Sequence, residues 1–110
     1  MTSLKVYPGP LNGRIFSQPS KSMAHRAMIC AALADGTSFI DNVVLSDDIS
    51  ATLGAISAIG ADTKVRDSTV YKGRKSVTIE SRGQINLRAK EIDCGESGST
   101  ARFILPITRL

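Results

Sequence analysis

The chain has 110 residues, 42% hydrophobic and 22% charged, with 14 Lys and Arg against 10 Asp and Glu for a net charge of +4. That is enough chain for one modest core. The charge is too mild to demand nucleic acid, although it suits acidic small molecules. No apolar run reaches signal-peptide or membrane-spanning length, so a cytoplasmic protein is the expectation.

Aromatics make up 5% and Trp is absent, so the core must rest on Ile, Leu, Val, Ala and Met. The first segments, SLKVYPG and LNGRIFS, read as two short strands around a Pro-Gly-Pro turn. A helix follows over about 21–35, with Pro19 and Ser20 as start signals and Asp35-Gly36 as the stop. Its small-residue face is Ala24, Ala27, Met28, Ala31, Ala32 and Leu33.

TSFIDNV is the third strand. Ser46 caps a second helix with Asp47 and Asp48 in the first turn, Ile49, Leu53, Ile56 and Ile59 at helical spacing, and Gly60 at the C-terminal cap. ADTKVRD and KSVTIES alternate as strands. STVYKGRK between them is expected to hold a short strand and a turn around Gly73, and INLRAKEIDC another strand. GESGSTARFIL is a Gly/Ser loop opening into a third helix. The order β-β-α-β-α-β-β-β-loop-α gives an α/β or α+β fold of βαβ character. The closing ARFILPITRL is apolar without a polar tail, which suggests a chain ending inside an element that wants a neighbour. Cys30 and Cys94 form no metal-binding spacing and are expected as free, buried or half-buried thiols in a reducing compartment.

The chemistry concentrates in two places. In SKSMAHR, residues 20–26, cations and hydroxyls crowd a helix start, where the dipole prefers anions. Free backbone N–H groups, the Ser22 hydroxyl, the Lys21 ammonium and Arg26 one turn on would suit an external carboxylate or phosphate. Spacing alone still favours the plainer reading, a capped surface helix with solvated cations. His25 is the single histidine. It lacks a second ligand or a paired carboxylate, so metal and triad chemistry are not expected, and it is placed on solvent or the rim of the pocket.

In CGESGSTAR, residues 94–102, two glycines and hydroxyl residues precede a second such start, with Arg102 in its first turn. The spacing is not that of a P-loop. Together the two starts suggest a ligand, or two, with more than one anionic group. Asp48 reads as a first-turn acid or as an organiser of nearby cations. YKGRK, residues 71–75, reads as a solvated hairpin turn.

At these residues a family resemblance appears. PSKSMAHRAMICAALADGTSFIDNVVLSDDISATLGAISAIGA is similar to the N-terminal signature of the 5-enolpyruvylshikimate-3-phosphate synthases, and CGESGSTARFILPI to their second signature. The likeness runs over about residues 5–106. It implies transfer of the carboxyvinyl group of phosphoenolpyruvate to the 5-hydroxyl of shikimate 3-phosphate, releasing phosphate on the way to chorismate, without a cofactor or metal. It implies a two-lobe inverse α/β barrel of βαβαββ units, with only the first part present here. Residues 1–13 would be strands packing with a C-terminal lobe, and 14–110 the first part of the N-terminal substrate-binding lobe.

By position, Lys21 matches the lysine that touches both substrates, and Ser22 and Arg26 match groups on shikimate 3-phosphate. Gly98 matches the loop glycine against phosphoenolpyruvate, where glyphosate competes, and Ser99 its neighbouring hydroxyl. Asp48 matches a site-lining acid, and Arg102 a helix arginine below the loop. Glu96 and Ser97 depart from the Asn-Ala of the commoner branch. The acids implicated in proton transfer lie in the later lobe, so the isolated chain is expected to be inactive. The full-length family enzyme is expected to be monomeric, with no nucleic-acid or membrane partner, and the strands before residue 14 could support self-association here. Two rivals stand beside this reading: the sister transferase acting on UDP-N-acetylglucosamine, and a small basic nucleic-acid-binding module. Ser22, Arg26 and the SDD helix argue against the first, and the scarcity of aromatics against the second.

Overall fold

The computed structural model describes residues 2–109; Met1 and Leu110, which the expected domain ranges include, lie outside the described residues. Helices α1 (Lys21–Leu33), α2 (Asp47–Ala58) and α3 (Gly98–Ile107) alternate with strands β1 (Asp35–Val43), β2 (Asp62–Asp67) and β3 (Lys75–Arg82) in the order α1-β1-α2-β2-β3-α3. The sheet order is β1-β3-β2, with both outer strands antiparallel to β3. The two outer strands are therefore parallel to each other and joined through α2. The βαβ character holds in this split form, with β3 inserted between the pair.

β3 sets the layer arrangement. Val77, Ile79 and Ser81 alternate onto the helical side and are buried. Thr78 faces the other way, opposite Phe39, which stays 66% exposed. The helical side is closed by Met28 and Ile29 of α1, Ile49, Leu53 and Ile56 of α2, and Ile104 of α3. All four isoleucine and leucine positions expected for α2 are buried. In α1 the buried stripe is rotated from the expected one: it takes in His25 and Ile29, while Leu33 is exposed. The Ser81 hydroxyl donates to the Ala32 carbonyl at 2.6 Å, fastening the end of α1 to the central strand.

Four expected features are corrected. Residues 2–20 form no strand, and Leu4, Val6, Leu11, Ile15 and Phe16 are largely exposed. A strand needs a neighbour to complete its hydrogen bonds, and β1, β2 and β3 pair only with one another. Residues 68–74 form a turn and no strand. The Ser68 hydroxyl accepts from the N–H groups of Val70 and Tyr71, and Arg74 N–H bonds back to Tyr71 O, so local bonds consume the donors.

Residues 85–94 are likewise not a strand. Asn86 and Arg88 donate their N–H groups to Ile59 O and Ala58 O, the free carbonyls at the end of α2. Gly60, at φ +117°, permits that close approach. Finally, α1 ends at Leu33, two residues before the expected limit, because Asp35 already belongs to β1. Both thiols are free as expected, but Cys30 is exposed and only Cys94 is half-buried. No helix among the described residues is long and apolar enough to cross a membrane.

Ile79 is fully buried in the central strand and belongs to the hydrophobic core that the helices close. Ile79→Ala is expected to lower unfolding stability by about 2–5 kcal/mol, read as a drop in the denaturant midpoint; an unchanged midpoint would contradict this core.

Candidate functional site

Each helix begins on a serine: Ser20, Ser46 and Ser97 each accept a hydrogen bond from the backbone N–H three residues on. α2 then neutralises its own dipole with Asp47 and Asp48, whereas α1 and α3 carry no acid in the first turn. Two positive helix ends are thus left uncompensated, as a receptor for external anions would need.

The three starts meet. Lys21, the first residue of α1, donates from Nζ to Asp48 Oδ2 of α2 at 2.7 Å. Thr100 Oγ1 of α3 lies 3.5 Å from the Asp48 carbonyl. β1 delivers α2 to this place. At Asp41–Asn42 its register shifts against β3 and Asn42 takes φ +58°, a left-handed conformation that Asn tolerates. The Asp41 carboxylate fixes the bend by accepting from Asn42 N–H and from the Ser76 hydroxyl, both at 2.8 Å.

One helical turn below this rim lies a second, buried layer. His25 Nδ1 is 2.6 Å from Thr52 Oγ1, Thr52 Oγ1 is 2.7 Å from Thr100 Oγ1, and Thr100 Oγ1 is 2.7 Å from Ser97 Oγ. His25 is 1% exposed, which corrects its expected place on solvent or the rim. The reason is tertiary: position 25 faces the seam where α2 and α3 close over α1. The sequence signal for this layer is faint. Lys21 and His25 are four apart, as are Asp48 and Thr52, so each rim residue has a polar residue stacked beneath it on the same helix face.

The remaining sequence-predicted residues surround the rim. Arg26 is exposed, and its guanidinium lies 5.9 Å from the Phe103 ring centroid, bridging α1 to α3. Ser22, Ser99 and Arg102 are exposed, with no side-chain hydrogen bond or ion pair among the described residues. Gly98 opens α3, and a Cβ built there would meet nothing within 4 Å. Neither packing nor a left-handed φ demands glycine at 98; the open space before it is what its missing side chain leaves free. Between the start of α1 and the β1–α2 connection lies a groove of about 160 Å³ lined by Pro19, Ser20, Lys21, Val44 and Ser46. A larger polar cleft of about 600 Å³ sits at the opposite end of the sheet, by Gly36, Asp62 and Arg82, and contains none of the predicted site residues. No cluster of His, Cys, Asp or Glu among the described residues could hold a metal ion.

Residues 6–110 match the sequence model of EPSP synthase (3-phosphoshikimate 1-carboxyvinyltransferase). The chain belongs to the EPSP synthase family. It is 49% identical over 111 residues to the 3-phosphoshikimate 1-carboxyvinyltransferase of Clostridium beijerinckii, a match covering 100% of the chain and 25% of that relative. It is 47% identical over 109 residues to that of Clostridium botulinum strain Eklund 17B, covering 98% and 24% respectively. The Clostridioides difficile protein of the same name is 46% identical over 111 residues, covering 98% and 25%. The chain therefore spans about a quarter of the length of the curated relatives it matches. In this family member the two signature stretches are the α1 start and the α3 start, and the SDD stretch is the α2 start between them.

Two groups at the meeting point have displaced acidities. The Lys21 ammonium hydrogen-bonded to Asp48 holds that carboxyl below its ordinary 3.8, against a smaller opposing effect of desolvation. Burial pushes the His25 imidazolium below its ordinary 6.5; Asp48 pulls it back up, and Lys21 adds to the lowering. Both shifts have one sign for stability. The unfolded chain binds the proton more readily in each case, so stability is full above the ordinary values and is lost as pH falls through them. Unfolding stability is expected to decline first as pH drops below about 6.5 and again below about 4. Lys21→Met should raise the Asp48 midpoint, followed by carboxyl carbon NMR; no movement would sever the pair. Gly98→Ala is expected to keep or slightly raise stability, by up to about 1 kcal/mol, measured by thermal unfolding.

Proposed function

We propose that this chain supplies the polyanion-holding helix starts of a 3-phosphoshikimate 1-carboxyvinyltransferase, which moves the carboxyvinyl group of phosphoenolpyruvate to the 5-hydroxyl of shikimate 3-phosphate and releases phosphate. The observation that carries the reading is the meeting of three helix N-termini at the Lys21–Asp48 pair, two of them without an acid of their own. Both substrates bear phosphate and carboxylate groups, and uncompensated helix ends flanked by cations suit them. Lys21 has the central place: its ammonium pairs with Asp48 at the rim, and with the side chain 57% exposed it is free to reach both substrates. Ser22 and Arg26 extend the α1 side toward shikimate 3-phosphate. Gly98 and Ser99 form the α3 side toward phosphoenolpyruvate, and Arg102 lies one turn on.

The transfer is an addition followed by an elimination through a tetrahedral intermediate. It needs a proton delivered to the methylene carbon and one removed from the attacking hydroxyl, with cations holding the crowded negative charge. Lys21 supplies charge at that point and a proton that can be shared. The acids that complete proton transfer are assigned to the part of the enzyme outside this chain, together with the surface that the apolar arm of residues 2–16 would cover. The reaction would run in the cytoplasm, on small-molecule substrates, without nucleic acid, membrane or cofactor, in a monomeric whole enzyme.

The test is a titration followed by amide and side-chain NMR. Shikimate 3-phosphate is expected to shift Lys21, Ser22 and Arg26 and leave 71–75 unmoved, with Lys21→Ala weakening binding about tenfold or more. RNA moving 71–75 with a steep salt dependence, and no response to shikimate 3-phosphate, would defeat the proposal. The purified chain is expected to release no phosphate from the two substrates, and measurable turnover would contradict the division of residues given above.

A further inference from the structure

The buried polar layer has a property the rim does not explain. His25 Nε2 is the one buried side-chain nitrogen or oxygen without a hydrogen-bond partner among the described residues. The other ring nitrogen heads an unbroken chain of three hydroxyls that ends at Ser97, the N-terminal cap of α3. Such a chain has two possible directions, and the ring decides between them.

If Nε2 carried the hydrogen, Nδ1 would accept from Thr52, Thr52 from Thr100 and Thr100 from Ser97. The Ser97 hydrogen would then be spent inward, and a buried N–H would be left with nothing to bond. Orphaned buried N–H groups are rarer than under-used acceptors. If Nδ1 carries the hydrogen, the chain runs the other way, from His25 to Thr52 to Thr100 to Ser97. The unpartnered Nε2 is then only a lone pair. Ser97 Oγ accepts both from Thr100 Oγ1 and from Thr100 N–H, the latter at 3.1 Å. Its own hydrogen is then committed to no other side chain among the described residues, and Ser97, 4% exposed, sits between the exposed Glu96 and Gly98 at the start of α3. The 3.5 Å contact from Thr100 Oγ1 to the Asp48 carbonyl is too long to compete with the 2.7 Å steps.

We infer that His25 is a positioning residue, held as the neutral Nδ1–H tautomer, that orders this hydroxyl chain outward so that Ser97 presents a free O–H to a phosphate or carboxylate at the α3 start. This rests on the proposed anion site for the ligand, though not for the tautomer. It links the two signature stretches by a route other than the substrates: α1 sets, through α2, what α3 can donate. An anion accepting from Ser97 reinforces the outward direction, and the inward one loses that bond.

The experiment has two readouts. Long-range proton–nitrogen NMR of the ring near neutral pH, without ligand, is expected to show hydrogen on Nδ1 and none on Nε2; the Nε2–H form would overturn the inference. Inorganic phosphate is then titrated while the Gly98 and Ser99 amides are followed. In His25→Asn the amide nitrogen can take the place of Nδ1–H, and binding is expected to stay near wild type. His25→Leu removes the donor and should weaken binding about fivefold, the size of one lost hydrogen bond, with unchanged circular dichroism. Equal binding by the folded Asn and Leu variants would overturn the inference. A wild-type chain that binds no phosphate would instead defeat the reading of the site, and the ring tautomer would still decide the role of His25.

Discussion

Three helix N-termini cannot be brought together without cost, because each carries a partial positive charge. The Asp47 and Asp48 carboxylates of α2 offset part of that charge, and Asp48 ties α2 to α1 through its ion pair with Lys21. Asp48 serves its own helix dipole, accepts from the ammonium at the start of α1, and through its backbone carbonyl touches α3. Both first-turn acids, Asp47 and Asp48, belong to α2, and α1 and α3 bring none of their own, so positive helix ends predominate where the three meet. An external anion at this place would be favoured for the same electrostatic reason.

The rest of the fold holds that meeting in place. The split β-α-β arrangement puts α2 beside α1 on one face of the sheet, and Val77 and Ile79 of the central strand pack beneath the helices. The bend at Asp41–Asn42 turns the chain out of β1 so that Ser46 can cap α2 near Lys21. Beneath the rim, polar side chains replace apolar ones at the seam of the three helices. A hydroxyl chain in a buried seam fixes relative orientation more narrowly than hydrophobic packing would, because each bond has a preferred length and direction. Lys21, Asp48 and the α3 start are therefore set by one cooperative unit.

The helix starts were legible in the residues. Capping serines at 20 and 46 gave the starts of α1 and α2 closely, while the cations and hydroxyls beside the starts of α1 and α3 admitted an external anion without requiring one. What failed was the part that depends on partners distant in sequence. Residues 2–16 have strand-like side chains but no neighbour to pair with here. Residues 85–94 look like a strand, yet their donors go to the end of α2. His25 was placed on solvent or the rim because its sequence neighbours offer no second ligand or paired carboxylate, and they do not say what will close over it.

The sequence by itself determined the local chemistry: where helices start, which dipoles carry first-turn acids, and the membership of the EPSP synthase family that those motifs carry. Only the tertiary structure decided that the three starts share one place, that Asp48 bonds to Lys21, and that His25, Thr52, Thr100 and Ser97 form one buried chain. The physical reason is range. Capping and dipole effects act within one helical turn and can be read from neighbours in sequence. The ion pair and the hydroxyl chain join residues 27 and 48 apart in sequence, and exist only once the core has packed.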